Sequence, residues 1–264
     1  METIEIQRAN GKPWRLYIHK GSWSPGIKSL MQDNLKIITA RDLAEARILN
    51  GVNGSLNALG TWFGECFIYM PNGDILVASR EHNPLLKLEF AKEATRAHRE
   101  RREFYFNADT ANMLRNLAER DAVKAIESGV LLLERQVLDK YGTSEKGKII
   151  IPVSEFGEEP LTQFLFRDMA KPYGNFLKEF VFDNPFIFLE PVIEKGIIKN
   201  IPLCIANKKY AQEQEMPFCC ALCIDRIGQL TIGIKPCGKF FFSAISGFNK
   251  LNDSKNHLIG IRDL

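Results

Sequence analysis

Cysteines, arginines and a few acids are the residues of this 264-residue chain whose types and spacing could do chemistry. Cys220-Ala-Leu-Cys223 has the C-x-x-C spacing of zinc knuckles and redox motifs, and Cys204 and Cys237 could complete a set of four ligands. A structural zinc site wants four N or S donors in a tetrahedron. A strand through 218–225 would instead turn Cys220 and Cys223 to opposite faces, so small buried hydrophobes are the stronger reading and no metal is assigned. Cys66, in Gly64-Glu-Cys-Phe, could serve as a nucleophile only if the fold brought His82, His98 or His257 beside it. The apolar residues around it favour a buried strand thiol.

A basic segment is the second group. Lys92, Arg96, Arg99, Arg101 and Arg102 fall within eleven positions, and Phe104-Tyr105-Phe106 follows at once. Arginines neutralise phosphates, and an aromatic face such as that of Tyr105 can stack on an unpaired base. Glu93, Glu100 and Glu103 dilute the charge, and cations at a helix C-terminus also complement the macrodipole. The sequence therefore offers two readings, a polyanion contact and a solvated helix end.

The third group is Leu16-Tyr-Ile-His19-Lys-Gly21, with a helix start near Ser24, and Glu213-Gln-Glu215 far along the chain. The two segments together resemble ADP-ribosyltransferases, in which an early-strand His or Arg holds NAD and a later Glu stabilises the developing ribosyl cation. The resemblance implies that His19 positions a nucleotide-like ligand and that Glu213 and Glu215 supply the charge. The S-T-S element of that family has no counterpart here. No phosphate-binding glycine loop, H-E-x-x-H or G-x-S-x-G is present, and no cofactor is announced. Asp74, Glu81 and Glu89 near Lys87 do not form the ordered carboxylate set of a metal nuclease.

Which elements must position these groups follows from the patterning. Ile4 and Ile6 and the run from Trp14 to His19 alternate with polar residues and read as a hairpin turned by Asn10-Gly11. Ser24-Pro25 opens a short helix, and Thr39 with Asp42 caps a second that stops at Asn50-Gly51. Residues 61–79 form another hairpin around Pro71-Asn72-Gly73. An amphipathic helix is expected over 84–102, and a longer one from Asn107 or Asp109 to about 140, with Gly129 as a kink or division. Residues 141–147, polar and glycine-containing, are the expected boundary between a hairpin-plus-helix half, 1–140, and a β-rich half, 148–264, the two sharing one core if they pack together. A strand at 148–153, a helix over 161–182 interrupted at 171–174, and strands at 186–189, 218–225, 230–235 and 239–246 complete the reading. Helices and strands do not alternate regularly, so the expected class is α+β, with mixed hairpins and helices, a helix-rich centre and a β-rich C-terminal part.

Composition narrows the function classes. The chain is 45% hydrophobic and 25% charged, with a net charge of +3, which is ordinary for a globular protein and too weak for a generally basic nucleic-acid module. The opening lacks an apolar signal region, and no apolar run is long enough to span a bilayer. A soluble, cytoplasmic protein with reduced thiols is the expectation. Two functions remain: an intracellular binding protein meeting nucleic acid or another polyanion through its basic helix end, or another protein through a zinc-stabilised surface, and an enzyme acting on a nucleotide-like ligand through His19 and Glu215. The first requires exposed, co-facial arginines, and the second requires His19 and Glu215 in one cleft.

Overall fold

The computed structural model describes residues 2–8, 12–100, 104–140, 148–180, 193–194, 197–198, 200–204, 208–224, 227, 245–247 and 256–262. In chain order the elements are β1 (Glu2–Gln7), β2 (Pro13–Lys20), α1 (Trp23–Gln32), β3 (Lys36–Ile37), α2 (Ala40–Asn50), β4 (Gly60–Tyr69), β5 (Ile75–Ala78), α3 (Leu88–Arg99), α4 (Ala108–Leu117), α5 (Ala122–Ser128), β6 (Val130–Leu133) and α6 (Arg135–Lys140). They continue with β7 (Lys148–Pro152), α7 (Pro160–Phe166), α8 (Ala170–Lys178), β8 (Ile193–Glu194), β9 (Ile197–Ile198), β10 (Asn200–Cys204), α9 (Lys208–Gln214), β11 (Phe218–Ile224), β12 (Ile245–Gly247) and β13 (Asn256–Ile261).

The expected α+β class holds. A mixed sheet runs β1-β2-β13-β4-β11-β12-β10-β7, with β3 beside β13, β5 branching beside β4 and β6 beside β5. Strands from both sides of 141–147 enter this one sheet. Its centre is β4, buried at every position, so its sequence is apolar almost throughout rather than alternating. Alternate residues of β4 serve two cores. Phe63, Phe67 and Tyr69 face the layer that includes α2, α5, α7 and α8, while Trp62, Cys66 and Ile68 face the layer of α1, α3 and α4. Opposite β11 the register shifts between Ala221, which pairs Cys66, and Cys223, which pairs Trp62. Three residues of β4 therefore oppose one of β11, a bulge that holds Phe63, Gly64 and Glu65.

Local chemistry explains most helix ends. Thr39 and Asp42 form the expected capping box, and Gly51 ends α2 at φ 75°. The Asn107 side chain caps α4 and that of Asp121 caps α5. Three sequence expectations are corrected. The segment read as one long helix is α4, α5, β6 and α6: Gly129, left-handed at φ 80°, ends α5, and the apolar run 130–133 pairs with β5. The segment 161–182 breaks at Arg167, not at 171–174, because Pro172 lies in the first turn of α8, where no helical donor is needed. The helix expected over 84–102 is a 3₁₀ turn at Pro84–Leu86 followed by α3. The Asn10-Gly11 turn and the strands expected at 186–189 and 230–235 lie outside the described residues, as does most of 239–246.

The aromatic residues 156–180 pack inward. Phe156 and Phe166 stand 5.1 Å apart, Phe166 stacks on Tyr173 at 5.3 Å, and the Arg47 guanidinium, fully buried, donates to the Tyr173 hydroxyl at 2.8 Å.

Candidate functional site

The face of α3 is built by helical spacing. Ala91, Ala94, Thr95 and Ala97 are buried, and the Thr95 hydroxyl donates to the Ala91 carbonyl at 2.8 Å. Lys92, Arg96 and Arg99 are exposed. Their i, i+4, i+7 spacing sets them on one side of the helix. The Arg96 guanidinium lies 3.0 Å from the Glu93 carboxylate, with both side chains more than half exposed, so the pair is weak and open to exchange. Arg101 and Arg102 lie outside the described residues. Tyr105 is half-buried, bridges to Phe218 as an isolated antiparallel pair and sets its ring 6.1 Å from that of Phe218. It belongs more to the core edge than to a free stacking platform.

His19 and the two glutamates are not brought together. His19, on β2, pairs with Leu258 of β13, which pairs in turn with Trp62 at the start of β4. Burial lowers the pKa of its imidazole. Glu213 and Glu215 are exposed at the end of α9, three to five residues before Phe218, which pairs with Tyr69 at the far end of β4. Trp62 and Tyr69 are on the order of 20 Å apart along the strand.

The thiols divide between the two cores. Cys66 and Cys219 face one and Cys220 the other, and all three are buried. Burial, together with a hydrogen bond to Cys66, pushes the Cys219 thiol well above its ordinary pKa, the opposite of what a ligand or nucleophile needs. Cys223 and Cys204 stand in one row across the sheet with Ser246 of β12 between them, two strands and so roughly 10 Å apart. Cys237 is outside the described residues, and among those described no three His, Cys, Asp or Glu side chains gather as a metal site. Asp74 is a structural carboxylate: it accepts from Arg115 at 2.9 Å and from the Arg135 amide at 3.0 Å, tying the β4–β5 turn to α4 and α6.

Two charged groups in the bulge region had no local mark in the sequence. Glu65 is buried in β4 and accepts from the Ala40 amide at 3.2 Å. Arg80, in the 3₁₀ turn after β5, donates to the Ile37 carbonyl at 3.1 Å. Glu65 sits mid-strand and Arg80 two residues past the end of β5, and only the non-local pairing reveals what these two touch.

No helix among the described residues is long and apolar enough to cross a membrane. No family model and no curated protein matches this sequence. The fold does have a solved counterpart, from work on the accommodation of massive sequence variation in Nanoarchaeota by the C-type lectin fold. It superposes with a TM-score of 0.59 at 14% identity, over 97% of this chain and 100% of the other. The architecture of this chain is accordingly that of a C-type lectin-like α+β fold.

Proposed function

We infer that this chain is a binding protein, a lectin-like scaffold that meets a polyanionic partner, nucleic acid foremost, through the solvent face of α3. The observation that carries this reading is the co-facial exposure of Lys92, Arg96 and Arg99. Three cations on one rigid helix face make a preformed electrostatic footprint, and the rest of α3 is anchored by its alanines. The structural counterpart adds support: its fold is described as accommodating massive sequence variation, and a scaffold whose surface can change without refolding suits recognition. The enzymatic alternative has less support, since His19 and Glu215 lie beside opposite ends of β4.

The test is binding of labelled single- and double-stranded oligonucleotides across a salt series, beside a variant with Lys92→Gln, Arg96→Gln and Arg99→Gln. Each phosphate contact contributes roughly 0.9 to the slope of log K against log salt on duplex DNA. The native chain should show a steep slope, and the variant one shallower by about two to three. No binding at low salt, or equal slopes, would remove the reading.

A further inference from the structure

A cavity of about 290 Å³ opens beside α1, between the end of that helix, β3 and the two 3₁₀ turns after β5. Its floor is apolar, formed chiefly by Ile27, Leu30, Leu35 and Ile37, with the exposed thioether of Met31 at the edge. Its charged lining is Arg80 beside Glu81, with Lys36 of β3 as a second cation. Arg80 is held in place. The Arg80 stem lies so close to Gly64 that a Cβ there would come within 2.8 Å of it, and Nη1 is engaged by the Ile37 carbonyl. Nε reaches Glu81 only at 3.4 Å. Arg80 is 19% exposed and Glu81 60%. Although burial opposes it, hydrogen bonds to its own backbone and the charge of Arg80 hold the Glu81 carboxyl below its ordinary pKa, so it is ionised at neutral pH.

The shape and the charges select a class of ligand. A space of this size stands at the lower end of small-molecule pockets, roughly 300–1,000 Å³, and suits a compact ligand. Cations and a carboxylate side by side at the mouth complement a zwitterion, while the floor and Met31 suit an unbranched or branched apolar group. We propose that this cavity binds a free α-amino acid with a large apolar side chain, such as leucine, methionine or phenylalanine: its carboxylate on the Arg80 guanidinium, its ammonium on Glu81, and its side chain against Ile27, Leu30 and Ile37. The site is separate from the charged face of α3 and does not depend on that face binding a polyanion.

Isothermal titration of the full chain with L-leucine, L-methionine and L-phenylalanine tests it, with leucinol, which lacks the carboxylate, and 4-methylpentanoate, which lacks the ammonium, as matched ligands. Saturable binding of the amino acids is expected, at least tenfold weaker for each matched ligand, because each leaves one wall charge without its partner. Glu81→Gln and Met31→Glu alter exposed side chains and should each weaken leucine binding severalfold with the thermal melt retained. Arg80→Gln should abolish binding. Absence of saturable amino-acid binding, or binding of 4-methylpentanoate or leucinol as tight as that of leucine, would overturn the assignment.

Discussion

The Glu65 carboxyl sits in the bulge of β4 and caps the first amide of α2, next to the Thr39–Asp42 capping box. Burial pushes its pKa up to about 8. The Ala40 amide and its own backbone hydrogen bond pull the other way, nearby Asp42 raises it further, and Arg80 lowers it. The sign of the linkage follows. Between pH 4.5, the ordinary glutamate value, and 8 the folded chain keeps a proton that the unfolded chain has released, so this group's contribution is full below 4.5 and is lost as pH rises through that window. The loss reaches about 3 kcal/mol by pH 7, at roughly 1.4 kcal/mol per unit. Glu65→Gln keeps an acceptor for Ala40 and carries no charge. Urea unfolding from pH 4 to 9 should show the variant gaining on the native chain as pH rises. A difference that stays constant with pH would refute this. Nothing in Gly64-Glu-Cys-Phe discloses the burial, because the strand pattern there cannot show which residues a bulge turns inward.

Helix α5 and strand β6 meet at Gly129, and that junction decides what the apolar run after it becomes. The glycine is left-handed at φ 80°, and the Ser79 amide donates to its carbonyl at 2.9 Å, which starts the β5–β6 pairing. A Cβ would come within 2.3 Å of the His82 ring. Gly129→Ala therefore carries both a left-handed backbone and a steric clash, and should cost about 1–3 kcal/mol in urea unfolding with the transition still cooperative. A loss under about 0.5 kcal/mol would mean that the junction relaxes freely. Elements with local chemistry were legible in the sequence: the Thr39–Asp42 box, the Asn107 cap, the hairpin at Pro71-Asn72-Gly73, and the amphipathic α3. Elements defined by partners were not. Residues 130–133 fit a buried strand or a buried helix equally until β5 is placed beside them, and periodicity cannot choose between the two. The candidate site divides the same way. Helical spacing alone made Lys92, Arg96 and Arg99 co-facial, whereas the separation of His19 from Glu215 needed the register of four strands.

At the scale of the whole molecule, the strand most distant in sequence from its neighbours is the one that closes the sheet. Residues 256–261 form a short run without strand alternation and with Gly260 inside it, so β13 has little local mark, yet it lies between β2 and β4, antiparallel to the first and parallel to the second. Leu258 and Ile259 are fully buried and Ile261 is 5% exposed. At roughly 1.5–3 kcal/mol for each buried aliphatic side chain, these three contribute an amount comparable to the whole stability of a domain, about 5–15 kcal/mol. β1, by contrast, is an edge strand with one side chain, Ile6, fully in the core. Its Arg8 ties back to Glu45 at 2.9 Å and lies 4.8 Å over the Trp14 ring. Two deletions of similar length separate these roles. Removing residues 1–8 should lower the melting temperature while leaving one cooperative transition. Removing 256–264 opens the edges of β2 and β4 at once and should abolish the cooperative transition followed by circular dichroism. If the second deletion melted as sharply as the first, β13 would be an accessory to the sheet and the two helical layers alone would be holding its centre together.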